Sequence, residues 1–560
     1  MRPSLTWVPR LTLAALLLPV GAGLWGVIAP LLGLVHIAGA DPDQAIADLL
    51  AWPGLTDASA LSITSGFGAT LMALALVVLI LSQLHGTRGL AVLRRLLSPL
   101  LSMPHAAAAF GLAFLIAPSG WIARLFSPWA TGWAQPPDLL ILNDPWGIAL
   151  TLGLAVKEAP FLLLMSLAAL GQIRAGQSLL IARALGHSLS GAWLKTVFPA
   201  VYRQIRLPVY VVLAYSMTVV DVAMILGPTL PTTLSVQILR WMSDPDLSLR
   251  LLGAAGALLQ LALVIGALAV WWVGEHLIAA LGRRWITSGA RSHGIGLLRP
   301  IASGLGTASA AVVLTGIAGL LVWSFAGQWS FPDALPAPLT LRNWQRFGPA
   351  LGAPIQETAI IALTTTLIAL ILCIGSLEAE ARHNLRPTTR AMALLYLPLL
   401  VPQIAFLPGL QVLLLNWGLT SGRWVVILSH LVFVIPYVFL SLSDPWRAWD
   451  RRYGTVGRAL GASPNRVLFR IRLPMLLTPI LTAAAVGCAV SVGQYLPTLL
   501  AGGGRIATLT TEAVALTSGG NRRAIGVYGI AQTCAALIPF AIALTLPRIL
   551  FRNRRALRPE

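Results

Sequence analysis

Charged side chains are scarce in this sequence. Asp, Glu, Lys and Arg together make up 10% of its 560 residues, while 57% of the residues are apolar. Soluble domains carry about 25% charged residues, and so few charges could not surround so much apolar surface in water. A water-soluble fold is therefore excluded, and lipid is the expected solvent for much of the chain.

Other absences narrow the chemistry. Only two lysines occur, Lys157 and Lys195, and no Gly-x-x-x-x-Gly-Lys-[Ser/Thr] pattern is present, which excludes a P-loop site for ATP hydrolysis. The three cysteines, Cys373, Cys488 and Cys534, lie in apolar segments without Cys-x-x-Cys spacing, and we expect them to be small core residues. Eight scattered histidines without a His-Glu-x-x-His pattern argue against a membrane-embedded enzyme. We expect no catalytic residue, no metal site and no cofactor.

The net charge of +20 comes from arginine and does not indicate nucleic-acid binding. The arginines recur in short hydrophilic gaps between apolar runs, which is the pattern of cytoplasmic loops in membrane proteins. Alternate gaps differ strongly in the number of basic residues, and the gaps rich in basic residues lie on the same side as both ends of the sequence. We therefore expect both termini to be cytoplasmic. The apolar run after Arg10 is roughly twice as long as the apolar core of a signal peptide, and we expect an uncleaved first helix.

Twelve apolar stretches are long enough to cross a bilayer, which takes about 20 residues. They fall roughly at 11–36, 61–84, 99–118, 147–170, 205–227, 249–275, 300–325, 356–377, 391–415, 424–443, 475–498 and 525–549. The sequence therefore predicts an all-α membrane protein of about twelve transmembrane helices.

Two loop segments repeat each other. The tetrapeptide Arg-Ala-Leu-Gly occurs at 183–186 and again at 458–461. In both copies a proline, Pro199 or Pro474, follows the glycine at the same spacing. The repeat predicts two tandem homologous halves of six helices each, about 1–290 and 295–560. Both halves have the same orientation, because each contains an even number of spans.

These loops resemble the signature cytoplasmic loop of binding-protein-dependent ABC importer permeases. That pattern runs Glu-Ala-Ala, three residues, Gly, nine residues, Ile-x-Leu-Pro. The matching positions here are Gly186, Pro199, Gly461, Ile471, Leu473 and Pro474. Leu180 and Thr455 stand where the family has its leading Glu, and Thr196 and Phe198 replace Ile and Leu in the first copy. The fused layout is similar to that of the permeases for thiamine and for ferric iron.

The resemblance implies the type I importer permease fold, with one helix–Gly–helix loop in each half that docks on a cytoplasmic ATPase. The expected loops cover about 171–203 and 444–474. The expected docking residues are Ala182, Arg183, Ala184, Leu185, Gly186, Pro199, Gly457, Arg458, Ala459, Leu460, Gly461, Ile471, Leu473 and Pro474. The implied partners are two copies of an ABC ATPase subunit, a periplasmic solute-binding protein and the bilayer of a bacterial inner membrane, with no nucleic acid.

Polar residues inside apolar spans are candidates for the transport pathway, because they are costly in lipid and usually face the interior of a bundle. They are Lys157, Glu158, Asp221, His430, Gln494 and Tyr495. Each either lines the pathway or forms a polar contact between helices. Gly227-Pro-Thr-Leu-Pro231 and Gly502-Gly-Gly-Arg505 follow the fifth and eleventh spans and predict helix breaks at matching points. These breaks either lie near a cavity or external gate or are simple extracytoplasmic turns.

The favoured function is the permease subunit of an ATP-driven importer of a small solute, with thiamine-like compounds and ferric iron both left open. The alternative is a twelve-span secondary transporter of the major facilitator type, which shares the span count, the duplication and the cytoplasmic termini. That alternative predicts a Gly-x-x-x-Asp-Arg type motif after the second span. The loop at 85–96 is basic but lacks the Asp.

Overall fold

The computed structural model describes residues 5–37, 39, 41–289, 291, 298–385, 388–416, 418 and 422–551. The predicted boundary between the halves, at 290–295, falls almost entirely outside the described residues, as do both ends of the chain, which are predicted to be cytoplasmic. Within the described ranges the regular structure is helical, apart from an isolated antiparallel bridge between Ala326 and Leu339. The predicted all-α membrane fold is confirmed.

The helices before the boundary are α1 (Val8–Leu31), α2 (Ala45–Ala51), α3 (Leu55–Leu84), α4 (Arg88–Ser102), α5 (His105–Ile116), α6 (Trp121–Phe126), α7 (Ile148–Gln172), α8 (Ala175–Ala184), α9 (Leu189–Ala192), α10 (Phe198–Thr218), α11 (Asp221–Leu226), α12 (Leu234–Ser243) and α13 (Leu249–Thr287). Those after it are α14 (Leu298–Phe325), α15 (Arg342–Phe347), α16 (Gly352–His383), α17 (Thr389–Leu400), α18 (Gln403–Asn416), α19 (Arg423–Ala448), α20 (Arg451–Ala459), α21 (Pro464–Val467), α22 (Leu473–Met475), α23 (Leu477–Val492), α24 (Leu496–Ala501), α25 (Leu509–Ala515) and α26 (Arg522–Leu550). Short π-helical segments, Trp193–Val197 and Leu468–Arg472, precede α10 and α22.

Among the described residues, nine helical stretches are long and apolar enough to cross a membrane, and two bent pairs raise the number to eleven. The predicted number was about twelve. The predicted fifth span, 205–227, is not among the eleven, because its helix carries Arg203 and Arg206 near its start and ends at Thr218. The predicted ninth span corresponds to a pair of helices bent by 86°.

The first long helix on each side of the boundary packs against helices from the other side. Helix α1 contacts α18, and α14 contacts α5. At these crossings the backbones meet at glycines: Gly26 against Gly409, and Gly111 against Gly316. A Cβ at Gly26, Gly409 or Gly111 would overlap the backbone of the facing helix, and a Cβ at Gly316 would lie only 3.0 Å from it. Small residues permit such close helix packing in membranes, and the exchange of the first helices binds the two parts of the chain together.

Matching elements follow the loop repeat. The backbone N–H of Leu234, the first residue of α12, donates to Ser62 Oγ at 3.0 Å, and that of Leu509, the first residue of α25, donates to Thr358 Oγ1 at 2.9 Å. Leu234 and Leu509 are separated by the same offset as the two copies of the tetrapeptide. The same contact therefore recurs on both sides of the repeat boundary, between α12 and α3 and between α25 and α16.

One sequence expectation about burial is wrong. Cys373 and Cys488 are buried, but Cys534 on α26 is exposed on the surface of the protein. An apolar segment of a membrane protein exposes one face to lipid, so an apolar setting in the sequence does not imply burial inside the protein.

Candidate functional site

Each repeated loop folds as a short helix, a glycine turn and a second short helix. We call residues 175–199 the first signature loop and residues 451–474 the second. Gly186 and Gly461 have φ values of +86° and +81°. At the second turn Gly461 N donates to Arg458 O at 2.9 Å and Ala462 N donates to Gly457 O at 3.0 Å. The first turn has the same pair of bonds at the equivalent positions. This C-terminal helix cap requires a left-handed residue, which explains the glycine.

The small residue four positions before each glycine is buried against the second half of its loop. Ala182 is 4% exposed, and Gly457 is buried. A Cβ on Gly457 would lie 3.0 Å from Ile471 Cδ1 and 3.2 Å from Val467 Cγ2. The Ile of the signature pattern therefore packs on the small residue, and this contact holds the two short helices of the second loop together.

The outer face of each signature loop exposes apolar side chains at matching positions. Leu185 and Leu460 are 63% and 82% exposed, and Ile181 and Val456 are 65% and 58% exposed. Both pairs are related by the offset of the tetrapeptide repeat. Arg183 and Arg458 are exposed beside them. Each loop thus presents an apolar ridge with a basic flank, and exposed apolar surface rimmed by polar residues is typical of a protein contact.

The remaining predicted loop residues lie at the starts of the following helices or beside the exposed ridge. Pro199 is the second residue of α10, and Pro474 is the second residue of the short α22. The long helix after the second loop begins only at Leu477, after a bend of 76°. Ala184 and Ala459 are exposed, and Leu473 is half-buried. The proline therefore lies at the start of a long helix in the first loop but not in the second.

Lys157 and Glu158 are both buried in α7 and have different partners. Lys157 Nζ donates to the carbonyl oxygen of Leu100 at 2.9 Å. Glu158 Oε1 lies 3.0 Å from His105 Nε2. Adjacent residues on a helix point in different directions, so the two neighbours bind separate helices instead of pairing with each other.

A second group of predicted pathway residues lies together around His105. The His105 ring is 4.9 Å from the ring of Tyr215. Asp221 is the buried first residue of α11, and its carboxylate lies near His105, Tyr215 and Tyr495. The Tyr495 hydroxyl lies 3.8 Å from Met224 Sδ on α11. Glu158, Asp221 and Tyr495 therefore belong to one polar cluster, which has contributions from both sides of the repeat boundary.

His430 lies elsewhere and holds a broken helix. Its Nδ1 is 2.8 Å from Ser491 Oγ, and its Nε2 is 2.9 Å from Thr498 Oγ1. Ser491 lies in α23 and Thr498 in α24, on either side of the break that contains Gln494 and Tyr495. His430 is 1% exposed. One imidazole thus fixes both segments of the interrupted span.

The breaks in the two spans lie earlier than predicted. Helix α10 ends at Thr218 and α23 at Val492, whereas the predicted glycine-rich segments end only the short α11 and α24. A freed carbonyl near each break has a polar partner: Met217 O accepts from Gln260 Nε2 at 3.2 Å, and Val492 O accepts from Thr510 Oγ1. Unsatisfied backbone groups are expensive in lipid, and these bonds let the spans be interrupted.

Sequence reasoning missed five residues of these sites. Ile181 and Val456 lie one helical turn before Leu185 and Leu460, so the repeat and the helical period could have identified them. His105, Tyr215 and Tyr437 carry no pattern of their own in the sequence. The half-buried Tyr437 lies near Glu158, which is on the other side of the repeat boundary. Only the fold brings this tyrosine to the cluster.

Comparison with known proteins gives consistent matches. The family model described as "Binding-protein-dependent transport system inner membrane component" matches residues 371–555. The chain is 32% identical over 463 residues to the inner membrane ABC transporter permease protein YnjC of Escherichia coli, covering 82% of each chain. It is 27% identical to the molybdenum transport permease ModB of Mycobacterium tuberculosis over 29% of this chain and 68% of that protein. It is 26% identical to the spermidine/putrescine permease PotC of Haemophilus influenzae over 25% of this chain and 55% of that protein.

Proposed function

Because this chain belongs to the inner-membrane permeases of binding-protein-dependent ABC importers, we propose that it alone provides the membrane pathway of one ATP-driven importer. Two homologous halves, about 1–290 and 295–560, take the place of two separate permease subunits. ModB and PotC each match less than a third of this chain over more than half of their own length, which supports this layout. The recurrence of the signature loop, the broken span and the Ser62 and Thr358 contacts supports it as well.

The two exposed signature loops carry this proposal. Each loop docks in a groove of one cytoplasmic ATPase subunit, so one chain binds two ATPase copies. The ridge residues Ile181, Leu185, Val456 and Leu460 enter the grooves, and Arg183 and Arg458 face the groove rims. ATP is hydrolysed on those subunits, since this sequence has no P-loop pattern. Both termini lie in the cytoplasm, on the side of the arginine-rich gaps.

Transport follows from movement of the halves against each other. A periplasmic binding protein delivers the solute from outside, and ATP binding draws the two signature loops together. The solute then passes between the halves, where Glu158, Asp221 and Tyr495 cluster with His105 and Tyr215. Lys157, Gln494 and His430 complete the polar lining or hold the broken spans in place.

The substrate is a small solute, and thiamine-like compounds and ferric iron remain the named candidates. The relatives are named for molybdenum and for spermidine and putrescine, so membership of the family does not select one solute. The major facilitator alternative gains no support, because the relatives reported above are ABC permeases.

A pull-down from membranes of the native host tests the docking proposal. The affinity-tagged chain is purified in mild detergent, and the retained ATPase is identified and quantified by mass spectrometry. The double variant Leu185→Asp/Leu460→Asp should lose the ATPase, because each substitution puts a carboxylate on an exposed apolar ridge. Leu230→Asp is the matched control, since Leu230 is 82% exposed and lies between α11 and α12, away from both loops. Equal ATPase recovery with all three proteins would contradict docking by the signature loops.

A further inference from the structure

The second signature loop ends in a buried arginine that joins three parts of the protein. Arg472 is 7% exposed. Its Nη1 donates to Glu378 Oε2 on α16 at 2.9 Å, and its Nη2 donates to the carbonyl oxygen of Trp446 on α19 at 2.8 Å. The guanidinium also stacks over the rings of Trp446 and Trp449, 4.3 Å and 4.8 Å from their centroids. One side chain therefore fixes the end of the loop to two long helices.

Glu378 holds the same loop through a second route. Its Oε1 accepts from Arg382 Nε at 2.8 Å, one helical turn along α16. Arg382 Nη2 in turn donates to Asn465 Oδ1 at 2.9 Å, and Asn465 lies in α21 within the loop. The cytoplasmic end of α16 is thus attached to the loop at both Asn465 and Arg472, with Glu378 between the two arginines.

The burial of this pair makes the attachment stiff. Glu378 is 6% exposed, and the surroundings of Arg472 are tryptophan rings. If the loop moved away from α16, Glu378 would keep Arg382 on its own helix, but Arg472 would be left without a carboxylate partner beside the tryptophan rings. An uncompensated buried charge is strongly unfavourable. Separating the loop from α16 and α19 is therefore costly, and we expect the three to stay together when the loop is displaced.

The first signature loop has no equivalent attachment at this position. Val197 is the counterpart of Arg472 at the offset of the tetrapeptide repeat. Val197 is 1% exposed and has no charge to pair. The glycine turn, the short helices and the π-helical segment match between the loops. The second loop thus has a buried arginine and a carboxylate partner on α16, whereas the first loop has the buried Lys195, which lies 4.6 Å from the Trp285 ring centroid on α13.

We propose that Arg472 and Glu378 are positioning residues that transmit the ATPase-driven displacement of the second signature loop to α16 and α19. The inference rests on the proposed docking of an ATPase at this loop. Through this pair the second loop, α16 and α19 move as one body. The first loop lacks this pair and has the buried Lys195 over Trp285 instead, so the two loops are attached to their neighbouring helices by different contacts although their outer faces match.

Spin-label distances in the complete complex test this transmission. Nitroxide labels are placed at Arg466 on the second loop, at Leu385 just after α16 and at Arg88 at the start of α4. All three positions are exposed. The background carries Cys534→Ser, because Cys534 is exposed while Cys373 and Cys488 are buried. Distances are measured by pulsed electron paramagnetic resonance in the complex with its co-purified ATPase, without nucleotide and with a non-hydrolysable ATP analogue.

In the otherwise unchanged chain we expect the analogue to shift the Leu385–Arg88 distance and to leave the Arg466–Leu385 distance constant. In Glu378→Met/Arg472→Met the ATPase should stay bound, but the analogue should no longer shift the Leu385–Arg88 distance. It should instead change the Arg466–Leu385 distance. The double variant removes both members of the buried pair, and such replacements are commonly tolerated. Arg382 loses its carboxylate partner but keeps its bond to Asn465. Arg472→Lys serves as a second variant, because a lysine keeps the charge but cannot bind Glu378 and Trp446 with a planar fork. It should show a reduced shift.

The matched control neutralises the neighbouring pair. Glu380 on α16 binds Arg447 on α19 at 2.8 Å, but both side chains are partly exposed. Glu380→Gln/Arg447→Gln should keep the nucleotide-dependent shift. A Leu385–Arg88 shift that persists in Glu378→Met/Arg472→Met would overturn the inference, as would equal loss in the control. Absence of the ATPase from the unchanged chain would instead contradict the proposed function.

Discussion

Replacing Gly461 tests why the signature loop needs a glycine. The residue has a φ of +81°, and a Cβ there would have no neighbour within 4 Å. Any destabilisation by Gly461→Ala therefore comes from the left-handed backbone conformation. This conformation costs about 1–2 kcal/mol of free energy for a residue other than glycine. That free energy lowers the population of the folded turn by a factor of about 5–30. Asn tolerates this conformation better than Ala, and we expect Gly461→Asn to be milder.

Limited trypsin digestion of the purified chain measures this population. Arg458 and Arg466 flank the turn and are both exposed. When opening and closing are fast, cleavage follows the open fraction. The rate at these sites should rise by a factor of about 5–30 for Gly461→Ala, and by less for Gly461→Asn.

The first signature loop contains a matched control. Gly176 lies inside α8, has open space around its Cβ and does not have a positive φ. Gly176→Ala should stabilise its helix by about 0.5–1 kcal/mol. Tryptic cleavage of the chain should therefore be no faster than in the unchanged protein. The reasoning is refuted if Gly461→Ala cleaves at the unchanged rate, or if Asn at position 461 is as harmful as Ala.

Three further predictions concern packing and caps. Gly409→Ala places a methyl group against the backbone of α1 and should destabilise the protein by about 1–3 kcal/mol, measured by thermal unfolding in detergent. Gly266→Ala is the control, because a Cβ there has no neighbour within 4 Å, and it should not destabilise the protein. Equal stability of the two variants would contradict the close crossing. His430→Leu removes the bonds to Ser491 and Thr498 and should speed hydrogen exchange at 493–501 while exchange in α10 stays unchanged; unaltered exchange at the break would show that His430 does not hold it. Ser463→Ala removes the bond from Arg466 N that caps α21 and should cost about 1 kcal/mol, seen as faster trypsin cleavage at Arg466; Ser463→Asp, which keeps a capping oxygen, should restore the slow rate.

Much of the fold followed from local signals in the sequence. Apolar runs identified most of the long helices, because a span must be both apolar and about 20 residues long. The repeated Arg-Ala-Leu-Gly identified both glycine turns, since the C-terminal cap of the preceding helix requires a left-handed residue at Gly186 and Gly461. Burial of Asp221 and His430 followed from the cost of polar groups in lipid.

The features that were missed depend on partners far away in the chain. The break after Thr218 falls at two valines, where neither glycine nor proline marks it, and its carbonyl partner Gln260 comes from a later helix. The pair Glu378–Arg472 joins two helical segments that are distant in the sequence. Hydropathy also could not reveal that Cys534 faces outward, because membrane helices are apolar on their lipid face as well as inside.

The most direct test of the account is the mass of the intact complex. Native mass spectrometry of the tagged chain, purified from membranes of its host, counts the subunits that remain bound. The account predicts one copy of this chain with two copies of an ATPase subunit, one for each signature loop. A chain that carries no ATPase, or a complex in which two copies of this chain share a pair of ATPase subunits, would contradict it.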